Sequence, residues 1–324
     1  MKIALVTPAA PRSRAGNRAT ASRWAGLLRA AGHQVDVLEQ WRADDPAFDL
    51  MIALHAWRSA SSIAAFAQRF PKRALIVVLT GTDIYRFQQT HRDVTRASFD
   101  YASALIGLHH HVAHDIPRKY HRILHTVYQS AIPLPPSYPR PSARDFTVCV
   151  VGHLREEKDS LRAAEAARLL PADSRIKIIQ AGRAHSPDWA HAAQAQMQDN
   201  ARYTWLGEIA PSAIRRLYAR SRAMVISSVM EGGANVVSEA CVAGLPVLAS
   251  DIPGNTGLLG QDYPGLFPAG DSAALAALMM RVEHDPAFLS DLADWCHALA
   301  PRHTPQAEQA ALLAVIQQLT PLTQ

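Results

Sequence analysis

Cysteine is scarce in this chain. Its 324 residues include three, Cys149, Cys241 and Cys296. That is too few, and too scattered, for a disulfide framework, and it fits a reducing compartment; a cytoplasmic setting is expected. Long apolar runs are missing as well. None approaches the roughly 20 residues of a membrane-crossing helix. The string Met1-Lys2-Ile3-Ala4-Leu5-Val6-Thr7-Pro8 carries one lysine and a short apolar stretch broken by proline, so it reads as a first strand rather than a signal peptide. No stable membrane association is expected. Excess charge of one sign is modest: the formal net charge of +5 suits a small anionic substrate as well as nucleic acid and decides little alone. No nucleic-acid partner is expected. Short-period repeats and a low-complexity tail are absent. The first loop lacks Gly-x-Gly-x-x-Gly, so Asp36, near the end of the second expected strand, is not read as the ribose-binding acid of a dinucleotide fold.

What is present is apolar material, 48% of residues. It is ample for two cores, in a length that suits one large or two ordinary domains. Short apolar runs alternate with helical periodicity. Strands are expected over 3–6, 33–38, 50–54, 74–79, 104–108 and 123–127. Helices are expected over 18–31, 59–70 and 93–101, with a histidine-rich helix after 108. The unbroken apolar run at 74–79 suits a parallel sheet covered on both faces. Residues 132–141 then hold five prolines in ten positions, which no element interior tolerates; a linker and domain boundary are placed there. The pattern restarts with strands over 146–151, 176–179, 223–226 and 246–249, and a short strand and turn over 203–207. Helices end at 170, cover 189–199 and 211–219, open near 233 and close the chain over 306–319. The expected fold class is α/β, with two doubly wound (Rossmann-like) parallel-sheet domains facing a cleft. The expected division is 1–132, a proline-rich linker 133–145, a second domain 146–303, and a helical segment 304–324 packing back on the first domain.

In such sheets ligands bind beyond the carboxyl ends of the strands. The stretch over 226–240 organises the second half. An apolar strand ends in Ser227 and Ser228; Glu231, Gly232 and Gly233 follow, and then a buried helix. Glu239, in its second turn, shares the face that looks back toward Glu231. The glycines let backbone N–H groups approach a ligand, and a helix N-terminus favours an anion. The two carboxylates suit sugar hydroxyls beside that anion. A nucleotide sugar has both parts. Arg155 and Lys158 follow the first strand of this half, and Thr256 with its glycines follows a later one. Cations and helix N-termini together hold a pyrophosphate without a metal.

The two-domain layout, the string Val-Gly-x-Leu-x-x-x-Lys over 151–158, and the Glu-x7-Glu spacing of Glu231 and Glu239 resemble the GT-B glycosyltransferases of family 4, over nearly the whole chain. Members of that family are retaining, metal-independent, and use nucleotide-sugar donors. The resemblance implies that Lys158 contacts the donor pyrophosphate, Glu231 the hydroxyls of the transferred sugar, and Glu239 the ribose hydroxyls. Lys158 and Arg155 would stabilise charge on the leaving UDP, making Lys158, Arg155 and Glu231 the expected catalytic residues. Gly152 and His153, with Gly232, Gly233, Ala234, Asn235 and Val236, would line the donor. Backbone N–H groups around Ala234 and Asn235 would hold phosphate. Trp205, Leu206 and Gly207 lie where the family binds the base. A UDP-sugar donor is implied, with no metal and no other cofactor; the chain also has no Asp-x-Asp string of the metal-dependent type. Two departures stand out. The family usually has arginine where His153 stands, and Arg155 is its expected replacement. Many members carry a histidine in the first domain near the donor sugar, and the corresponding turn, 79–83, has none.

Strings at 7–9 with 16–18, at 79–83, at 151–155 and at 253–260 resemble one subgroup, the selenosugar synthases of selenoneine formation. Those join a UDP-sugar, typically UDP-N-acetylglucosamine, to selenophosphate. Such an acceptor is a small anion whose selenium is already a nucleophile; it needs cations and N–H donors rather than a base. Arg12, Ser13, Arg14, Gly16, Asn17, Arg18 and Thr20, around a helix start, and the turn Thr80, Gly81, Thr82 and Asp83 are the expected acceptor-binding residues. An alcohol acceptor, in an ordinary family 4 transferase of glycan or lipid synthesis, would want a positioned carboxylate or histidine. A non-catalytic nucleotide-sugar-binding protein is a third reading. His109, His110, His111 and His114 invite a metal, with His110 and His114 on one helix face, but only Asp115 stands near to complete a ligand set. Cys241, in an apolar helix, reads as packing.

Overall fold

Six short apolar strands build the first sheet: Lys2–Val6 (β1), Gln34–Leu38 (β2), Leu50–Leu54 (β3), Ala74–Leu79 (β4), Ala104–Gly107 (β5) and Leu124–Thr126 (β6). Their order is β2-β1-β3-β4-β5-β6, and every neighbouring pair is parallel. In β1, Ile3 and Leu5 enter one core with Trp24, Leu28, Ile52, Val78 and Ile316, while Ala4 and Val6 enter another with Met51, Phe66, Val77 and Phe99. Successive side chains point to opposite faces, so a strand buried on both must be apolar throughout, as Leu50–Leu54 is. The computed structural model describes residues 1–11, 13 and 16–319. The expected acceptor residues Arg12 and Arg14 lie outside them.

This unit comprises Met1–Ser130, Gly232–Ala234 and Pro305–Gln324. Its last helix, Pro305–Leu319, puts Leu312, Val315 and Ile316 into the core around Trp24. Buried among these apolar groups is the carboxylate of Glu308, which accepts from Trp24 Nε1 at 2.6 Å, Arg23 Nε at 2.8 Å and the Ser130 amide at 3.1 Å.

The second unit, Ala131–Glu231 with Asn235–Thr304, repeats the design. Its strands are Phe146–Val151 (β7), Ile176–Ala181 (β8), Tyr203–Trp205 (β9), Ala223–Ile226 (β10), Val247–Ser250 (β11) and Leu266–Phe267 (β12), in the parallel order β12-β11-β10-β7-β8-β9. Two parallel-sheet, Rossmann-like units of six strands each make the chain an α/β protein.

Local details differ from the sequence reading. The segment after β11, Pro253–Leu259, is a helix with proline in its first turn, a position where the missing N–H costs nothing. The histidine-rich helix shrinks to Val112–Asp115; His109, His110 and His111 precede it, so His110 and His114 do not share a helix face. The two-residue strand β12 went unseen, because two residues carry no periodicity. Among the described residues no helix is long and apolar enough to cross a membrane.

Candidate functional site

The carboxyl edge of the second sheet gathers most of the expected residues of that half. After β7 the chain turns through Gly152 and His153 into a single helical turn, Glu156–Lys158. The backbone there is tied down from β10. Ser227 Oγ donates to the carbonyls of Lys158 at 3.2 Å and Asp159 at 3.0 Å, and the Val229 amide donates to Glu157 O at 3.0 Å. Lys158 is thereby aimed at the end of β10, where its ammonium meets Glu231 Oε1 in an ion pair. Ser228 Oγ donates to the same oxygen at 2.5 Å. Lys158 is 19% exposed and Glu231 8%. At that burial the two charges must satisfy each other, since an unpaired one would carry a large desolvation cost. Gly152, Lys158, Ser160, Gln180, Ser227 and Ser228 line a small cavity of about 20 Å³ beside the pair.

The ends of β7, β8 and β9 are stitched together behind this pair. The Gly152 amide donates to Ala181 O and the Gly182 amide to Gly207 O. Gly182 has φ +155, and a Cβ there would overlap the Gly152 carbonyl; only glycine allows that approach. Trp205 Nε1 donates to Gly182 O at 2.8 Å, and Leu206 remains 39% exposed beside Gly207. His153 Nδ1 accepts from the Arg183 amide at 3.2 Å. Arg155 keeps 37% exposure, with Nε 3.8 Å from Glu157 Oε2. Glu239, on the helix Asn235–Ala243 that also carries Val236, accepts from Tyr218 Oη at 2.7 Å. Lys158 and Glu231 are thus brought into contact across 73 residues of sequence, whereas Glu239 has a partner the sequence did not suggest.

The intervening residues Gly232–Ala234 belong to the first unit. There Gly232 presses on the Thr80–Gly81 backbone so closely that a Cβ has no room. Gln129 Nε2 donates to Gly233 O at 2.5 Å.

Two expected acceptor residues in this first unit are corrected. Asp83 is fully buried and serves its own turn, accepting from the amides of Ala56 at 3.0 Å, Thr80 at 2.9 Å and Gly81 at 2.8 Å. Thr20 is buried, and its hydroxyl donates to Gln129 Oε1 at 2.6 Å. Both read as ligand groups in the sequence because a polar residue at a strand end or helix start looks the same whether it binds a ligand or satisfies backbone. Gly16 is exposed and Ser13, Asn17 and Arg18 are half-buried. Arg18 Nη1 and Thr80 Oγ1 are buried with no hydrogen-bond partner among the described residues. Thr82 Oγ1 is 2.9 Å from His55 Nε2. His55 follows β3 with φ +74, a conformation a non-glycine residue holds only when its surroundings enforce it.

A second buried histidine follows β5. His109 is 0% exposed, with Nε2 3.2 Å from Tyr85 Oη. That hydroxyl spends its proton on Asp115 Oδ2 at 2.9 Å, so Nε2 is the donor and Nδ1 carries the lone pair. Nδ1 has no partner among the described residues. Burial, with His111 and His110 beside it, pushes His109 down to about 3 from the ordinary 6.5. The unfolded chain takes up that proton near 6.5 and the folded chain does not, so between pH 3 and 6.5 the unfolded state binds more protons. Stability is therefore expected to fall as the pH drops below 6.5, by about 1.4 kcal/mol per pH unit from this group. Urea denaturation at pH 7 and pH 5 checks it: a His109→Gln variant should lose less on acidification than the parent, and an equal loss would contradict the assignment.

Residues 139–295 match the model of a family described as glycosyl transferases group 1. A comparison with curated proteins finds no match. Among solved structures, Anabaena HepE in complex with UDP is 17% identical, with a TM-score of 0.78 over 98% of this chain and 99% of that one; the same protein is also solved with UDP-glucose. Sucrose-phosphate synthase from Thermosynechococcus elongatus is 16% identical, with a TM-score of 0.80 over 98% of each chain. A glycosyltransferase from Rickettsia africae is 12% identical, with a TM-score of 0.76 over 99% of each.

Proposed function

We propose that this chain, whose residues 139–295 match the group 1 glycosyl transferase model, moves a sugar from a UDP-sugar to an acceptor, with retention at the anomeric carbon and without a metal. The observation that carries the reading is the buried ion pair of Lys158 with Glu231, backed by Ser228, where β7 and β10 end. A donor diphosphate competes for the lysine. As Lys158 turns to phosphate, the Glu231 carboxylate becomes available to the hydroxyls of the sugar. When the anomeric C–O bond breaks, its electron pair leaves on UDP, and a cation held in a water-poor site stabilises that charge more than water does. Half-exposed Arg155 adds to it from the same turn. Glu239 takes the ribose hydroxyls, and Trp205, Leu206 and Gly207 flank the base. UDP complexes of a structural neighbour support the nucleotide assignment.

In the finer reading the sugar is N-acetylglucosamine and the acceptor selenophosphate, whose selenium forms the new C–Se bond with no proton to remove. The strings shared with selenosugar synthases support it. The acceptor residues lend it less: Thr20 and Asp83 are spent on structure. The alcohol acceptor of an ordinary family 4 transferase is the second reading; an alcohol must surrender a proton, which a selenophosphate need not, and His109, fully buried and held down to about 3, is too weak a base to take it.

Incubating the purified protein with UDP-N-acetylglucosamine and selenophosphate, followed by mass spectrometry, separates these. UDP together with a selenium-containing sugar is the expected result. Absence of both ends the selenophosphate reading. UDP released only when alcohols are offered establishes the second. UDP binding without turnover on any acceptor would leave a nucleotide-sugar-binding protein.

A further inference from the structure

Tyr218 lies on the helix Pro211–Arg220, outside every motif of the sequence. Its ring is 2% exposed. A phenol that deep needs a partner for its hydroxyl. The partner is the carboxylate of Glu239, at 2.7 Å, on the helix Asn235–Ala243. Burial and the neighbouring carboxylate hold the phenol well above its ordinary pKa, so it stays a donor throughout the working range.

We infer that Tyr218 is a positioning residue for nucleotide recognition: it locks the Glu239 side chain in the rotamer that accepts from the vicinal hydroxyls of the ribose. This rests on the donor-site reading above. A glutamate on a helix surface samples several rotamers and loses that freedom when it binds. A hydrogen bond already formed in the free protein removes part of that cost from binding.

The test uses UDP and 2′-deoxy-UDP as probes, with dissociation constants from calorimetry on the full chain. The wild type should bind UDP more tightly than 2′-deoxy-UDP. Tyr218→Phe keeps the ring in the core and deletes only the donor, so the melting temperature should barely move. The variant should bind UDP roughly tenfold more weakly, equivalent to 1.4 kcal/mol, while its affinity for 2′-deoxy-UDP changes much less. Adding Tyr218→Phe to Glu239→Gln should cost little further, since the two act as one unit. An equal loss for both nucleotides would make the tyrosine merely structural and overturn the inference, as would an unchanged UDP affinity. A wild type that binds both nucleotides equally well would sink the ribose assignment of Glu239, and Tyr218 with it. A wild type that binds neither would sink the donor site itself.

Discussion

Replacing Lys158 with alanine is expected to lower turnover by about 10²–10³-fold, the loss found when a single preorganised charge-stabilising group is removed from an active site. The reason lies in how this lysine is held. Its backbone is pinned by Ser227 and its ammonium by Glu231, so the charge is in place before substrate arrives. Alanine removes the cation and strands the Glu231 carboxylate, 8% exposed, with Ser228 as its remaining hydrogen-bond partner. Some stability should go as well, because breaking one side of a buried pair leaves an uncompensated charge. Initial rates of UDP release, measured beside a melting curve, distinguish the two effects. Turnover within threefold of the parent would remove Lys158 from the mechanism.

The second large effect is expected far from any ligand. Glu308→Ala should destabilise the first unit by roughly 3–5 kcal/mol, as removal of one partner from a buried charge network does. One carboxylate serves Arg23, Trp24 and Ser130, and alanine leaves all of them without it. Arg23 also donates to Gln129 Oε1 at 2.9 Å, and Gln129 holds Gly233 O. The loss therefore reaches from the last helix to the residues beside Glu231 in sequence. Glu308→Gln keeps the volume but turns an acceptor into a donor facing donors, so it should recover little. Urea denaturation followed by near-UV signal from Trp24 and the other tryptophans reads the change. A loss below 1 kcal/mol would mean that apolar packing of Leu312, Val315 and Ile316 alone secures the helix.

Much of the architecture was legible because it is local. Buried parallel strands need unbroken apolar runs, and β4 and β10 announce themselves that way. The pair Lys158 and Glu231 was legible as two separate motifs, each at a strand end where ligands bind. Their contact was not, because it depends on β7 lying beside β10, and strand order leaves no mark on either motif. Tyr218 and Glu308 were invisible for a related reason. A tyrosine on an amphipathic helix, or a glutamate in a terminal one, looks like an ordinary surface residue until another element closes over it. His109 was noticed as one of a cluster and weighed as a metal ligand; its burial and its link through Tyr85 to Asp115 recast it as a neutral hydrogen-bonding group. Thr20 and Asp83 failed in the opposite direction: polar side chains at element ends were read as ligand groups and are consumed by Gln129 and by backbone amides.

Taken alone, the order of residues determined the class of fold, the repeat of two sheets and the chemistry available at the strand ends, since periodicity and short strings arise from neighbours along the chain. Which charge faces which, and which polar group is left over for a substrate, was decided only by the packing of distant segments. Desolvation is the reason: once buried, a charge or hydroxyl must find its partner wherever the fold places one, whatever its distance in sequence.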